Sequence, residues 1–193
     1  MEQIKSFLRN CLCVTDDDII QTALKVAYIQ NVPRKEFLYR QGDKLSGVPF
    51  LMSGLFRFYF TDIKGTEHTD CFCGEPGFPI IPSIELDSVL PIDIQALEDS
   101  KVLIIPAALI ENLVDNNIDI MRIQNKLLTL SLKRHWETKM ALYQYNAEAR
   151  YLWFLEKYGE LIHRIPHIYI ASFLNISPVT LSRIRRKLKM KYA

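Results

Sequence analysis

Ile165-Pro-His-Ile-Tyr-Ile-Ala-Ser-Phe-Leu-Asn-Ile-Ser-Pro-Val-Thr-Leu-Ser-Arg-Ile-Arg-Arg-Lys-Leu188 reads as two short helices joined by a tight turn. The first spans about 167–174, with Ile170, Ala171 and Leu174 on one face. Ala171 is small, so a second helix can approach it closely. Asn175 falls where the turn needs a left-handed backbone, which asparagine tolerates better than most side chains. Ser177 is a good N-cap, because its hydroxyl can accept from a free amide of the first turn. Pro178 follows at the first helical position, where a missing N–H costs nothing.

From Pro178 the pattern splits into two faces. Leu181, Ile184 and Leu188 recur at helical spacing and are expected to pack inward. Val179, Ser182, Arg183 and Arg186 fall on the opposite side at about 100° per residue. An apolar back with a cationic, hydrogen-bonding front suits a helix laid in a DNA major groove. Charge alone would equally describe a solvated helix face. The capped turn, the small Ala171 and the divided faces together favour a helix-turn-helix, with Val179, Ser182, Arg183 and Arg186 facing bases. His167, Thr180, Lys187 and Lys189 are then expected near phosphates.

The charge balance agrees. The net charge is +2, yet six basic residues and no acid lie between Arg183 and Lys191, leaving the remainder of the chain at −4. A mildly acidic body with one basic end fits a local DNA contact better than general polyanion binding. Hydrophobic content of 49% with 24% charged residues is that of a soluble globular protein. No apolar run approaches the length that spans a bilayer, and the first residues lack the apolar core of a signal peptide. A cytoplasmic protein with four reduced cysteines is therefore expected.

Working outward toward the N-terminus, 147–158 is a helix with Gly159 as its C-cap. Residues 118–145 form a long helix without internal Gly or Pro. Ile120, Ile123, Leu127 and Leu130 have the spacing of a heptad seam. A second stripe runs through Leu128, Leu132, Trp136, Met140 and Tyr143. The first stripe is read as a dimer interface, because so long a helix outruns a small β-domain; burial of both stripes in one subunit is the alternative. Ala107 to Val114 is a short helix.

Residues 33–106 have a different period, with short aromatic and β-branched runs between turn signals at Gly42, Ser53-Gly54 and Asp62-Ile-Lys-Gly65. That is the pattern of an antiparallel sandwich or barrel. Phe56, Phe58 and Phe60 alternate as core residues do. Residues 2–31 carry helical periodicity, with Thr15 as the cap of a second helix. The expected class is α+β: a jelly-roll-like β-roll with N-terminal helices over 1–116, a dimerisation helix over 117–145 and a helix-turn-helix domain over 146–193.

This order of parts resembles the Crp/Fnr family of bacterial transcription regulators over nearly the whole chain. The resemblance is carried by Glu36-Phe-Leu-Tyr-Arg-Gln-Gly-Asp43, Leu51-Met-Ser-Gly-Leu-Phe-Arg57, Ala96-Leu-Glu-Asp-Ser-Lys-Val102 and the stretch from Ile170 to Leu188. It implies an effector-sensing roll, a homodimer joined along the long helix, and binding to an inverted repeat in double-stranded DNA, with RNA polymerase as a further partner. It identifies Arg183 with the family's base-reading arginine.

The sequence departs from the family in three places. Leu90-Pro91 stands where cyclic-nucleotide binders carry an Arg-Ser pair on the phosphate, so a charge-assisted bidentate contact is lost and no cyclic AMP binding is expected. Val179 replaces a glutamate that accepts from cytosine, so the target sequence should differ. The wing after Leu188 is expected to be absent or vestigial. If an effector occupies the family's usual place, residues 74–95 and the facing long helix should line its pocket. Phe78, Ile80, Ile81, Pro82 and Ile84 would make that pocket apolar, suited to a hydrophobic or aromatic molecule; binding to DNA without an effector also fits.

Cys11-Leu-Cys13 and Cys71-Phe-Cys73 invite an iron–sulfur cluster or metal. Their single intervening residue is shorter than such motifs use, so neither is expected. His68 is read as a surface hairpin residue and His163 as solvated. No catalytic triad, phosphate-binding glycine loop or zinc-protease motif is present, so no catalysis is expected. Two rivals stay open: a redox or metal sensor on the same scaffold, and a β-barrel enzyme with a helical oligomerisation arm.

Overall fold

A computed structural model describes the backbone of residues 1–81 and 89–192, and side chains through Leu188 outside the gap. The elements are α1 (Glu2–Asn10), α2 (Asp17–Val26), β1 (Tyr28–Val32), β2 (Phe37–Tyr39), β3 (Gly47–Ser53), β4 (Phe56–Thr61), β5 (Glu67–Cys73), β6 (Asp93–Ala96), β7 (Ser100–Pro106), α3 (Ala107–Asn116), α4 (Ile118–Gln144), α5 (Ala147–Tyr158), α6 (His167–Phe173) and α7 (Pro178–Tyr192). The class is α+β, with one sheet ordered β1-β7-β3 and the other β2-β6-β4-β5. β1 and β3 both pair antiparallel with β7, and β2 pairs antiparallel with β6.

The chain forms two compact units. The first comprises 1–58 and 72–130, and the second 59–71 and 131–193. In the first unit, β7 lies between two neighbours and is covered on both faces, which explains its unbroken Val102-Leu-Ile-Ile105 run. Leu103 and Ile105 join Val48 and Phe50 in a core cluster with Ile4, Phe7 and Leu8 of α1 and Ile20 and Ala23 of α2. Burying each such large side chain contributes about 1.5–3 kcal/mol. Pro49 sits in β3, which is an edge strand of its sheet, so its missing N–H removes no ladder bond. Gly54 holds the turn after β3 at φ +108, and a Cβ there would overlap Ser100. The same Ser100 hydroxyl accepts from the Leu55 amide at 3.2 Å and donates to the Glu98 carbonyl at 2.7 Å.

Several expectations are corrected. Helix α2 ends at Val26, and Tyr28–Val32 is a strand, because pairing with β7 satisfies its backbone where local periodicity favoured a helix. The cap of α2 is Asp16 rather than Thr15; its carboxylate accepts from the Asp18 and Ile19 amides. Phe60 does not continue the buried series of Phe56 and Phe58: it is exposed, and its ring stacks on His68 at 5.3 Å. Gly159 stays right-handed, φ −54, and leads into a short 3-10 turn rather than a left-handed cap.

Helix α4 half-buries Ile120, Ile123 and Leu127, three residues of the stripe expected to form a dimer interface. Ile120 and Leu127 pack against the core cluster of the first unit, and with Ile123 they line a cavity there. The large apolar side chains that α4 leaves exposed are Ile118, Leu130, Leu132, Trp136, Met140 and Tyr143. The exposed apolar side chains of α4 thus come from both stripes, while Leu128 of the second lines the cavity. Among the described residues, no helix is long and apolar enough to cross a membrane.

Candidate nucleic-acid interface

Helices α6 and α7 meet through Ile170, Ala171, Leu174, Leu181, Ile184 and Leu188, all buried. Ala171 has no exposed surface, which is the close approach its size predicts. Asn175 adopts φ 51. Its amide donates to the Ser172 carbonyl at 3.0 Å, and the Ile176 amide donates to Ala171 at 3.0 Å, so the α6 carbonyls are satisfied through the turn. The Ser177 hydroxyl accepts from the Thr180 amide at 3.1 Å, capping α7.

An arginine that sequence reasoning passed over braces this turn. Arg150 of α5 donates to the Leu174 carbonyl at 2.8 Å and to the Tyr145 carbonyl at 2.9 Å. A guanidinium can serve several carbonyls at once. Only its single position on α5 hinted at this, and no periodic pattern marks such a contact. Behind α6, Phe173 contacts Trp153, Phe154 and Tyr158, with ring centroids 5.6–6.1 Å apart. Burial, then the nearby Cys71, pushes the Tyr158 phenol up to about 12. Hairpin β4–β5 is tied in as well: the Ser172 hydroxyl accepts from the Thr69 amide at 2.9 Å and donates to the Glu67 carbonyl at 3.1 Å. His68, the hairpin residue expected at the surface, pairs with Asp62 at 2.9 Å and holds that carboxyl below its usual range.

The opposite face of α7 is open. Val179, Ser182, Arg183 and Arg186 are exposed together, Val179 at 61%. Among the described residues, neither Arg183 nor Arg186 has an intramolecular ion pair or side-chain hydrogen bond. The residues expected at phosphates are more engaged. Lys187 pairs with Glu148 at 2.5 Å. The Thr180 hydroxyl hydrogen-bonds the Ser177 hydroxyl at 2.8 Å. His167 contacts Arg185 through its ring nitrogen, and partial burial followed by the Arg185 charge lowers its pKa. Arg185 was missed, since its position lies toward the buried side of α7. His167, Pro178, Leu181, Ser182, Arg185 and Arg186 line a cleft of about 370 Å³. The side chain of Lys189 lies outside the described residues.

Of the effector residues, Ile80 is fully buried and Phe78 half-buried, while Ile81 lines the cavity of the first unit. Ile84 and Pro82 lie outside the described residues. Leu90 is a core residue whose amide and carbonyl are paired with Asp43 and Gly42. Cys11 and Cys13 are exposed, and Cys73 is buried. Among the described residues, no three His, Cys, Asp or Glu side chains gather as metal ligands would.

Residues 29–117 match the family model of the cyclic nucleotide-binding domain. No curated protein matches the chain by sequence. Solved structures do match in fold. FixK2 from Bradyrhizobium japonicum is 17% identical, with 86% of each chain covered and a TM-score of 0.77. A protein from Eubacterium rectale assigned to the Crp/Fnr transcriptional regulators is 17% identical over 91% of this chain and 84% of that one, at a TM-score of 0.68. The c-di-GMP-responsive global regulator CLP of Xanthomonas campestris is 16% identical over 91% and 93%, at a TM-score of 0.69. Residues 29–117 thus resemble the cyclic nucleotide-binding domain, and over nearly its whole length the chain shares the fold of these solved structures.

Proposed function

We propose that this protein is a sequence-specific DNA-binding transcription regulator that acts as a homodimer on an inverted repeat. One observation carries the reading. The capped α6–α7 turn leaves Val179, Ser182, Arg183 and Arg186 as a single exposed front, while the back of α7 is buried. Two unpaired guanidiniums beside a hydroxyl and a methyl-bearing side chain supply the donor and apolar chemistry that distinguishes base pairs in the major groove. In this reading Arg185 and His167, which line the adjoining cleft, meet the sugar-phosphate backbone.

The dimer contact is drawn from Leu130, Leu132, Trp136 and Met140, four of the apolar side chains that α4 leaves uncovered. A two-fold dimer then presents two α7 helices to half-sites about one DNA turn apart. Cyclic AMP is not the effector in this reading, because Leu90 and Pro91 offer no guanidinium to its phosphate. RNA polymerase is the further partner if the protein activates transcription.

Selection of bound duplexes from a random library tests the whole reading. The expected product is an inverted repeat with half-sites about 10 base pairs apart, centre to centre. Recovery of no enriched sequence at moderate salt, or of an asymmetric single site, sinks it.

A further inference from the structure

The first unit contains a cavity of about 120 Å³ on the face of the β1-β7-β3 sheet that bears Val48, Phe50 and Ile105. Helices α1, α2 and α3 and the first half of α4 complete its walls, with Leu8, Ala23, Leu113 and Ile123 among the lining. Side chains alternate along the segment beside β3, so Pro79 and Ile81 enter the cavity while Phe78 and Ile80 do not. It therefore lies on the helix-covered side of the sheet, not in the space between the two sheets.

Two features set this cavity apart from a packing fault. It is concave yet open on one side, so a small molecule can enter without the core parting. Apolar cavities of similar size stay dry and take up benzene-sized molecules. In addition, the lining is hydrocarbon except for Gln124, and the Gln124 amide has no hydrogen-bond partner among the described residues. Among the described residues no charged side chain reaches the wall, so a phosphate or carboxylate would lose its hydration with nothing in return from them.

We propose that this cavity is a binding site for an uncharged small molecule with a hydrocarbon ring and one hydroxyl or carbonyl, the ring among Leu113, Ile123 and Phe50 and the polar atom on Gln124. The proposal needs only the first unit and stands apart from the DNA-binding reading.

The test uses the full chain without DNA, with toluene and p-cresol as probes and methyl-resolved carbon-13 NMR as the readout. Saturable shifts confined to Ile81, Ile110, Leu113 and Ile123 are expected with both probes. The Leu113→Trp variant fills the space and should abolish them. The Gln124→Leu variant should bind p-cresol about fivefold more weakly and leave toluene unchanged, with its own methyl spectrum reporting an intact fold. If Leu113→Trp fails to fold, the contrast between the two probes on Gln124→Leu still decides. Shifts scattered over the surface, no saturation with either probe, or equal effects of Gln124→Leu on both would overturn the proposal. So would probe binding that fades as protein concentration rises, which would assign the cavity to a second copy of the chain.

Discussion

Replacing Arg183 by glutamine separates recognition from folding more cleanly than any other substitution in the chain. The Arg183 side chain is exposed and has no intramolecular partner among the described residues, so the folded state loses no contact. Stability should therefore change by no more than about 0.5 kcal/mol. Binding is another matter. A guanidinium at this place on α7 can contact a guanine edge with two hydrogen bonds, and losing that pair costs about 1–3 kcal/mol. At 1.4 kcal/mol per tenfold, the preferred duplex should bind about 5- to 150-fold more weakly. Discrimination should collapse at one base pair of each half-site and persist elsewhere. Fluorescence anisotropy against the selected duplex and its single-base variants measures this, with thermal unfolding as the control. Lys187→Gln is the contrast: it should weaken all duplexes alike and only slightly, because its ammonium is already paired with Glu148. Uniform weakening by Arg183→Gln across every duplex, with no position relaxed, refutes the assignment of Arg183 to a base.

Three further outcomes follow from the geometry. Asn175→Ala should destabilise the protein by about 1 kcal/mol and Asn175→Gly should not, since only a Cβ suffers at φ 51; calorimetry showing both variants alike would contradict this. Leu132→Lys and Trp136→Ala should shift sedimentation toward monomer with the fold retained, whereas Ile123→Ala should lower stability and leave association intact; a Leu132→Lys dimer of undiminished affinity counts against the exposed stripe. Tyr158 ionises at about 12 in the folded protein and near 10 in the unfolded chain, so its contribution is complete below pH 10 and is lost between pH 10 and 12. About 1.4 kcal/mol of that contribution should be gone by pH 11, and the loss should vanish in Tyr158→Phe, as denaturant titrations at pH 9 and pH 11 would show.

The sequence by itself determined the parts of this protein whose chemistry is local. The turn at Asn175, the Ser177 cap and Pro178 at the first helical position are choices a short stretch makes without help. The two faces of α7 follow from helical periodicity, and the structure buries Leu181, Ile184 and Leu188 accordingly. The β-rich middle of the chain and the long helix were readable for the same reason, since hydrophobic period and turn residues act over a few positions.

Tertiary structure alone decided what depends on partners distant in sequence. Tyr28–Val32 is a strand only because β7, some seventy residues on, receives its backbone bonds. Of the two apolar stripes on α4, spacing favoured the first for a partner chain; in the fold Ile120, Ile123 and Leu127 are half-buried in the first unit, while Leu132 and Trp136 are exposed. Arg150 at the α6–α7 turn and Arg185 on His167 escaped notice because a lone arginine carries no sign in sequence of which carbonyl or ring it will meet. Periodicity states which face of an element is apolar, whereas only packing, in which each face competes for a limited interior, determines what covers it.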